Sequence, residues 1–282
     1  MGFLEKAKGI SQEKRNDFTV IMGKPGSGKT TLAGSYPKPI LYVTIDTDGG
    51  GEVLKGYSDD EISVIALTND VVGTQGAKHV QTKCMELIHE LKTNQHNFKT
   101  VIFDAYSSIE EGLVRYLIKL KGKNLSIDER GAVSQLMTDL RDSVVELSRQ
   151  DVAVVAICHI KDKETTDNTT GDKSTMLVPK MSYTNGNILL ERASNVMYCS
   201  KRTVIRDDNT RDVAFLTYVG AHPNIDTKIR VKGKTKTTGM YIENLTYDKI
   251  KDIIDNDDKD VKQLKVIETQ VNPFNNEDKE EN

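Results

Sequence analysis

Gly23-Lys24-Pro25-Gly26-Ser27-Gly28-Lys29-Thr30 fits the pattern G-x-x-x-x-G-K-[ST] without a mismatch. It follows an apolar run, Phe18–Met22, and precedes a segment able to form a helix, Thr31–Tyr36. That is the strand–loop–helix setting a phosphate-cradling loop requires. Glycines let the backbone wrap a polyphosphate with its N–H groups pointing inward, and the start of the helix adds partial positive charge. Lys29 is placed to reach the β- and γ-phosphates, and the Thr30 hydroxyl to hold Mg²⁺; Thr31 completes the nucleotide-lining set. A chance match in a chain of this length is about one in a hundred. The stretch therefore implies binding of a nucleoside triphosphate, ATP in the first instance, and a fold built around it.

Outward from the loop, strand and helix signals alternate. Apolar runs at Phe18–Met22, Ile40–Ile45, Ile62–Leu67, Thr100–Phe103 and Val152–Cys158 read as strands. Between them, Val80, Cys84, Leu87, Ile88 and Leu91 share one helical face. So do Ile109, Leu113, Tyr116, Leu117 and Leu120, and again Val133, Leu136, Met137, Leu140, Val144 and Leu147. Ser126-Ile127-Asp128-Glu129 and Ser108-Ile109-Glu110-Glu111 read as capping boxes for the last two helices. The alternation predicts an α/β fold, a mostly parallel central sheet flanked by helices. Residues 161–187 are polar and read as a long loop. Runs at Asn195–Ser200, Val213–Val219 and Lys228–Val231 are close enough to add antiparallel strands on the C-terminal side. Helices are expected at Tyr247–Ile254 and near Val261–Ile267. The expected organisation is a polar lead-in (1–16), a nucleotide-binding core (17–245), short C-terminal helices (246–269) and an acidic disordered tail (270–282).

Composition narrows the class. No apolar run approaches the roughly 18 residues of a membrane span, so no membrane role and a cytoplasmic location are expected. Cys84, Cys158 and Cys199 have no C-x-x-C spacing and read as buried free thiols rather than zinc ligands. Net charge is −3, but residues 251–282 hold five lysines and ten acidic residues, leaving the remainder at +2. A mildly basic body with an acidic tail is common among proteins that handle nucleic acid.

Ligands of open parallel sheets bind at the carboxyl ends of the strands. Asp46-Thr47-Asp48 follows the second strand, Asp104 the fourth and His159 the fifth. Asp104 reads either as the aspartate that orients the Mg²⁺ shell opposite Thr30 or as a strand-end cap. ATPases of the AAA+ kind place a water-activating glutamate directly after this aspartate, whereas Ala105 stands here. Asp48, two residues past a strand expected to neighbour the phosphate loop, is the candidate base; the alternative is a polar turn with Gly49–Gly51. His159 reads as a γ-phosphate sensor or as an ordinary strand-end histidine.

The set GKPGSGKT, ILYVTIDTDGG, TVIFDAYSSI and VAVVAICHI resembles the RecA recombinase core over about residues 17–235. The SYPKPILYVTIDTDGG stretch is similar to that of the phage-encoded ATPases of the Sak group, linked to single-strand annealing and recombination. The resemblance implies a RecA-like ATPase working as an oligomer, ring or filament, on single-stranded DNA in a host cytoplasm. A single-stranded-DNA-binding protein is a further candidate partner. It implies that the acidic residue two past the strand-end aspartate activates the attacking water. In RecA that residue is a glutamate; here Asp48 sits about 1.5 Å back, shorter by one methylene, and small misplacements slow chemistry. The family's sensor is typically glutamine, in place of which His159 stands.

The resemblance also implies that the segment after the sensor contacts DNA, which selects Lys161, Lys163, Lys173 and Lys180, with Tyr183 for stacking on a base; a solvated hairpin or flexible loop is the alternative. Lys228, Arg230, Lys232, Lys234 and Lys236 occupy alternate positions and share one face of an extended strand. They read as phosphate contacts, as a charged edge strand, or, for Lys228 and Arg230, as cations reaching the next subunit's ATP site. Two further function classes remain: an ATP-switched DNA-binding or loading factor with little turnover, and a P-loop kinase. Against the kinase, Arg115, Arg130, Arg141 and Arg149 fall on helical faces rather than in a lid.

Overall fold

Val101-Ile102-Phe103 and Ala153-Val154-Val155-Ala156-Ile157-Cys158 are apolar at every position, as strands covered on both faces must be, and each of these residues is buried. The computed structural model describes residues 17–45, 50–67, 79–166, 173–205, 210–220, 224–229 and 241–255. Its strands are β1 (Phe18–Gly23), β2 (Ile40–Thr44), β3 (Ile62–Ala66), β4 (Thr100–Asp104), β5 (Ala153–Cys158), β6 (Ile160–Thr166), β7 (Lys173–Pro179), β8 (Asn195–Ile205), β9 (Arg211–Tyr218), β10 (Lys228–Ile229) and β11 (Tyr241–Glu243). Its α-helices are α1 (Lys29–Gly34), α2 (Val80–Thr93), α3 (Ser107–Lys121), α4 (Ile127–Leu147), α5 (Tyr183–Arg192) and α6 (Tyr247–Asp255), with a short 3₁₀ turn at Gly50–Leu54.

Among the described residues the main sheet runs β11-β9-β8-β1-β5-β4-β2-β3, with β10 beside β8. From β3 to β8 every neighbouring pair is parallel, and β9, β10 and β11 join antiparallel to their neighbours. The expected α/β architecture is thus present, with the antiparallel additions on the C-terminal side. Strand alternation divides the core. Val20, Met22, Val43, Phe103 and Ala156 pack toward Cys84 and Ile88 of α2, Ile109 of α3, Leu140 of α4 and Leu189 of α5. Ile21, Tyr42, Ile102, Val155, Ile157 and Cys199 pack toward Leu32 of α1 and Ile250 and Ile254 of α6. α6 is held there by tilted ring contact of Tyr247 with Tyr36, centroids 4.6 Å apart, and by the Tyr247 N–H donating to Ser35 Oγ at 2.9 Å.

Three expectations are corrected. First, β2 does not neighbour the loop-bearing strand: β5 and β4 stand between β2 and β1. Second, the described residues 161–166 and 173–187 are not a loop. β6 and β7 form an antiparallel hairpin, from Ile160↔Pro179 to Thr166↔Lys173, and α5 follows. Buried Leu177, Val178 and Pro179 fix its base, while its far end is exposed. Third, Ser108 is not the N-cap of α3. The backbone is already helical at Tyr106, so α3 begins at Ser107 without a side-chain cap and Ser108 lies inside the first turn. The Ser126–Glu129 capping box is present as expected. Leu120 points out, 61% exposed, despite its place in the helical pattern. The lead-in 1–16, Asp48, Arg230, Lys232, Lys234, Lys236, the helix expected near 261–267 and the tail lie outside the described residues.

Candidate functional site

The phosphate loop sits on the carboxyl end of β1, the strand between β5 and β8. Its glycines answer to space and torsion. A Cβ at Gly23 would stand 2.4 Å from the Cys199 carbonyl oxygen and 2.5 Å from Ser27 Oγ, a contact that no side chain tolerates. Gly26 and Gly28 hold φ of 70° and 90°, in the left-handed region that favours glycine. The closed loop buries Ser27 and Lys29. Lys29 Nζ donates to the Lys24 carbonyl oxygen at 2.8 Å, folding back over the loop it belongs to. Burial lowers the Lys29 pKa below that of an ordinary lysine, and the Asp104 carboxylate opposes that shift.

Asp104 ends β4, on the alternation that also carries Ile102 toward α1. Its Oδ2 accepts from Thr30 Oγ1 at 3.0 Å and from the Tyr42 hydroxyl at 2.6 Å. Burial, and then the Asp104 carboxylate, push the Tyr42 pKa up, so the phenol stays protonated and donates. Tyr42 is a site residue that the sequence reading missed. The available signal was a hydroxyl-tipped side chain in an aliphatic strand, at the same parity as the α1-facing Ile40. The Thr30 hydroxyl and the Asp104 carboxylate are side-by-side oxygen donors of the kind Mg²⁺ takes, so these residues fit that ion. Across the register, Thr44 of β2 lies opposite Asp104, and Ile45 N donates to Asp104 O at 2.7 Å. The last described residue after β2, Ile45, therefore lies beside Asp104, although β2 is remote from β1.

His159 directly follows β5, and its backbone is held from two sides. Its N–H donates to Ser107 Oγ at 3.0 Å, and its carbonyl accepts from Lys180 N at 2.8 Å. Ser107 is a second missed residue; its hydroxyl ties the start of α3 to the end of β5 instead of capping a helix. Glu110 of α3 accepts from Ser182 N at 2.9 Å and Asn185 Nδ2 at 3.0 Å, joining α3 to α5. The base of the hairpin is thus fixed to the same strand ends that surround the loop.

The lysines selected for nucleic acid are spread along this hairpin. Lys161 Nζ donates to the Met181 carbonyl at 2.6 Å, and Lys163 Nζ stands 2.9 Å from the ring centroid of Tyr183, itself 52% exposed. Lys173, at the outermost described pair, and Lys180, 3.8 Å from Glu111, are exposed. Lys228 is on β10, away from the loop, and donates to the Glu191 carbonyl at 2.9 Å. The three thiols are free and buried, with burial pushing Cys84 and Cys158 up to about 12 and Cys199 to about 11, so all are inert at neutral pH. Among the described residues no cluster of His, Cys, Asp and Glu is suited to another metal, and no helix is long and apolar enough to cross a membrane.

No curated protein matches the chain. The sequence model of the AAA domain family matches residues 15–231, most of its length, and spans the loop, Asp104, His159 and the hairpin. Ala105 after Asp104 does not prevent that match. On this match, and on the loop and metal-side pair just described, the chain belongs to the AAA domain family of P-loop nucleoside triphosphatases.

Proposed function

We propose that the chain is an ATPase of phage DNA recombination or annealing that couples its nucleotide state to single-stranded DNA bound on the β6–β7 hairpin. The observation that carries this reading is the junction at His159. One residue directly follows the strand beside β1, bonds to α3 through Ser107 and closes the hairpin base through Lys180. A group that changes at the γ-phosphate then acts on a segment carrying Lys161, Lys163, Lys173, Lys180 and Tyr183.

The loop N–H groups from Gly23 to Thr31 bind the phosphates, and Lys29 exchanges its Lys24 carbonyl partner for phosphate oxygens. Thr30 and Asp104 would hold Mg²⁺, which when bound would supply neutralisation of the negative charge on the triphosphate. Tyr42 fixes the Asp104 carboxylate. Asp48 accepts the proton of the attacking water, and His159 hydrogen-bonds the γ-phosphate. Lys228 and Arg230 act either on the next subunit's ATP in a ring or filament or, with Lys232, Lys234 and Lys236, on DNA. A second reading, an ATP-switched loading factor with little turnover, is favoured by Asp48 standing where a longer glutamate is expected.

The test is phosphate release titrated with single-stranded DNA. DNA-stimulated release is expected, and Lys29→Ala should abolish it. ATP-dependent DNA binding without turnover selects the switch. Phosphate transfer to a small acceptor, with no effect of DNA, overturns both readings.

A further inference from the structure

Phe215 breaks the pattern of the core. Phe18 and Phe103 are fully buried, yet on β9 Val213 and Phe215 are 45% and 41% exposed on one face. The strand that presents them is firmly held. Lys201 of β8 lies opposite Phe215 in the ladder, and the Phe215 carbonyl accepts from Asn244 N at 3.0 Å. The ring lies directly against the phosphate loop: a Cβ built on Gly28 would meet Phe215 Cδ1 at 3.3 Å. An aromatic face is thus kept half in water beside the residue that precedes Lys29.

Its side of the loop is informative. Thr30 and Asp104 mark the metal end of a triphosphate, toward β4. β1 is flanked by β5 on the β4 side and by β8, followed by β9, on the other. A triphosphate with its terminal oxygens at Asp104 runs across the loop toward β8 and β9 with its nucleoside leading. The Cys199 and Thr217 pair, next along the same face, is buried and internally bonded at 3.6 Å, so among the described residues the Val213–Phe215 surface is the open ground there.

Resting on the reading of Gly23–Thr30 as a triphosphate site, we infer that Phe215 is the nucleobase platform of that site. Stacking reads the area of a π-face rather than its edge groups. Phe215 therefore favours purine over pyrimidine triphosphates and does not itself separate adenine from guanine.

The test is calorimetric binding of ATP, GTP, CTP and inorganic tripolyphosphate, each with Mg²⁺, to the full chain. Phe215→Ala should weaken ATP and GTP by roughly 5- to 100-fold, weaken CTP less, and leave tripolyphosphate unchanged. Phe215→Tyr, which keeps the face, should restore purine binding. Wild-type ATP affinity in Phe215→Ala overturns the platform. So does an equal loss for ATP and tripolyphosphate, which would mean that the ring only props Gly28. Binding of neither ligand by the wild-type chain overturns the triphosphate site itself, and the platform with it.

Discussion

Asp104 gathers the chemistry of the loop through one oxygen, which accepts from both Thr30 and Tyr42. A hydrogen bond to a charged group contributes about 1.5–3 kcal/mol. Tyr42→Phe keeps the packed ring and removes one of the two bonds, so the carboxylate loses a fixed orientation. The expected outcome is a turnover rate reduced roughly tenfold and a raised Mg²⁺ requirement, with a far-UV spectrum like that of the wild type. Unchanged Mg²⁺ dependence would reduce Tyr42 to a packing residue. Lys29 gives a pH signature. Burial lowers its pKa, so it loses its proton at a lower pH than an exposed lysine. Triphosphate binds the charged form, so ATP affinity should fall as pH rises through that depressed pKa. Stability runs the other way: between the folded and the higher unfolded pKa the unfolded chain holds more protons, and the contribution of Lys29 grows with pH. ATP titrations from neutral into alkaline buffer check the first point, and a flat affinity would contradict it.

Elements were legible where side chains report on local structure. In α4, Ser126 Oγ accepts from Glu129 N at 3.3 Å and Glu129 Oε2 from Ser126 N at 2.6 Å, while Lys121 and this N–H hold the Glu129 carboxyl down to about 2. Ser126→Ala should cost about 1 kcal/mol, read as a lower urea midpoint with unchanged slope. The same S-x-x-E letters at Ser108 mislead because Tyr106, 1% exposed, carries the chain into helix before Ser108 is reached. The strand ends bearing Asp104 and His159 could be read from runs of aliphatic residues. The order of the strands could not, since β2 and β1 differ only in partners far along the chain. The hairpin was hidden for another reason: Lys, Asp, Glu and Thr fill it, and the backbone ladder, rather than a buried face, holds its far half together. Phe215 and Ser107 were invisible because each is ordinary in its own element and gains meaning only from the loop or strand end it meets.

At the scale of the molecule, one sheet separates two packed faces, and the nucleotide loop and the hairpin both rise from its carboxyl edge. The hairpin's exposed cations are the place to test contact with nucleic acid. Replacing Lys173 and Lys180 by alanine should weaken binding of single-stranded DNA and flatten its salt dependence by about 0.7 per lost contact. ATP binding, set at the loop, should be retained. An unchanged salt slope would remove these lysines from the interface. The ribbon that carries Lys173 has a mechanical property of its own. From Ile160 to Thr166 it extends about 20 Å at strand rise, anchored at one end by the His159 backbone. Its geometry is that of a lever arm: a tilt of about 10° at the fulcrum would sweep the far pair, Thr166 and Lys173, through roughly 3–4 Å. Such a stroke would equal the width of a phosphate contact, so the proposed DNA contact would be made or broken without any strand of the sheet leaving its register.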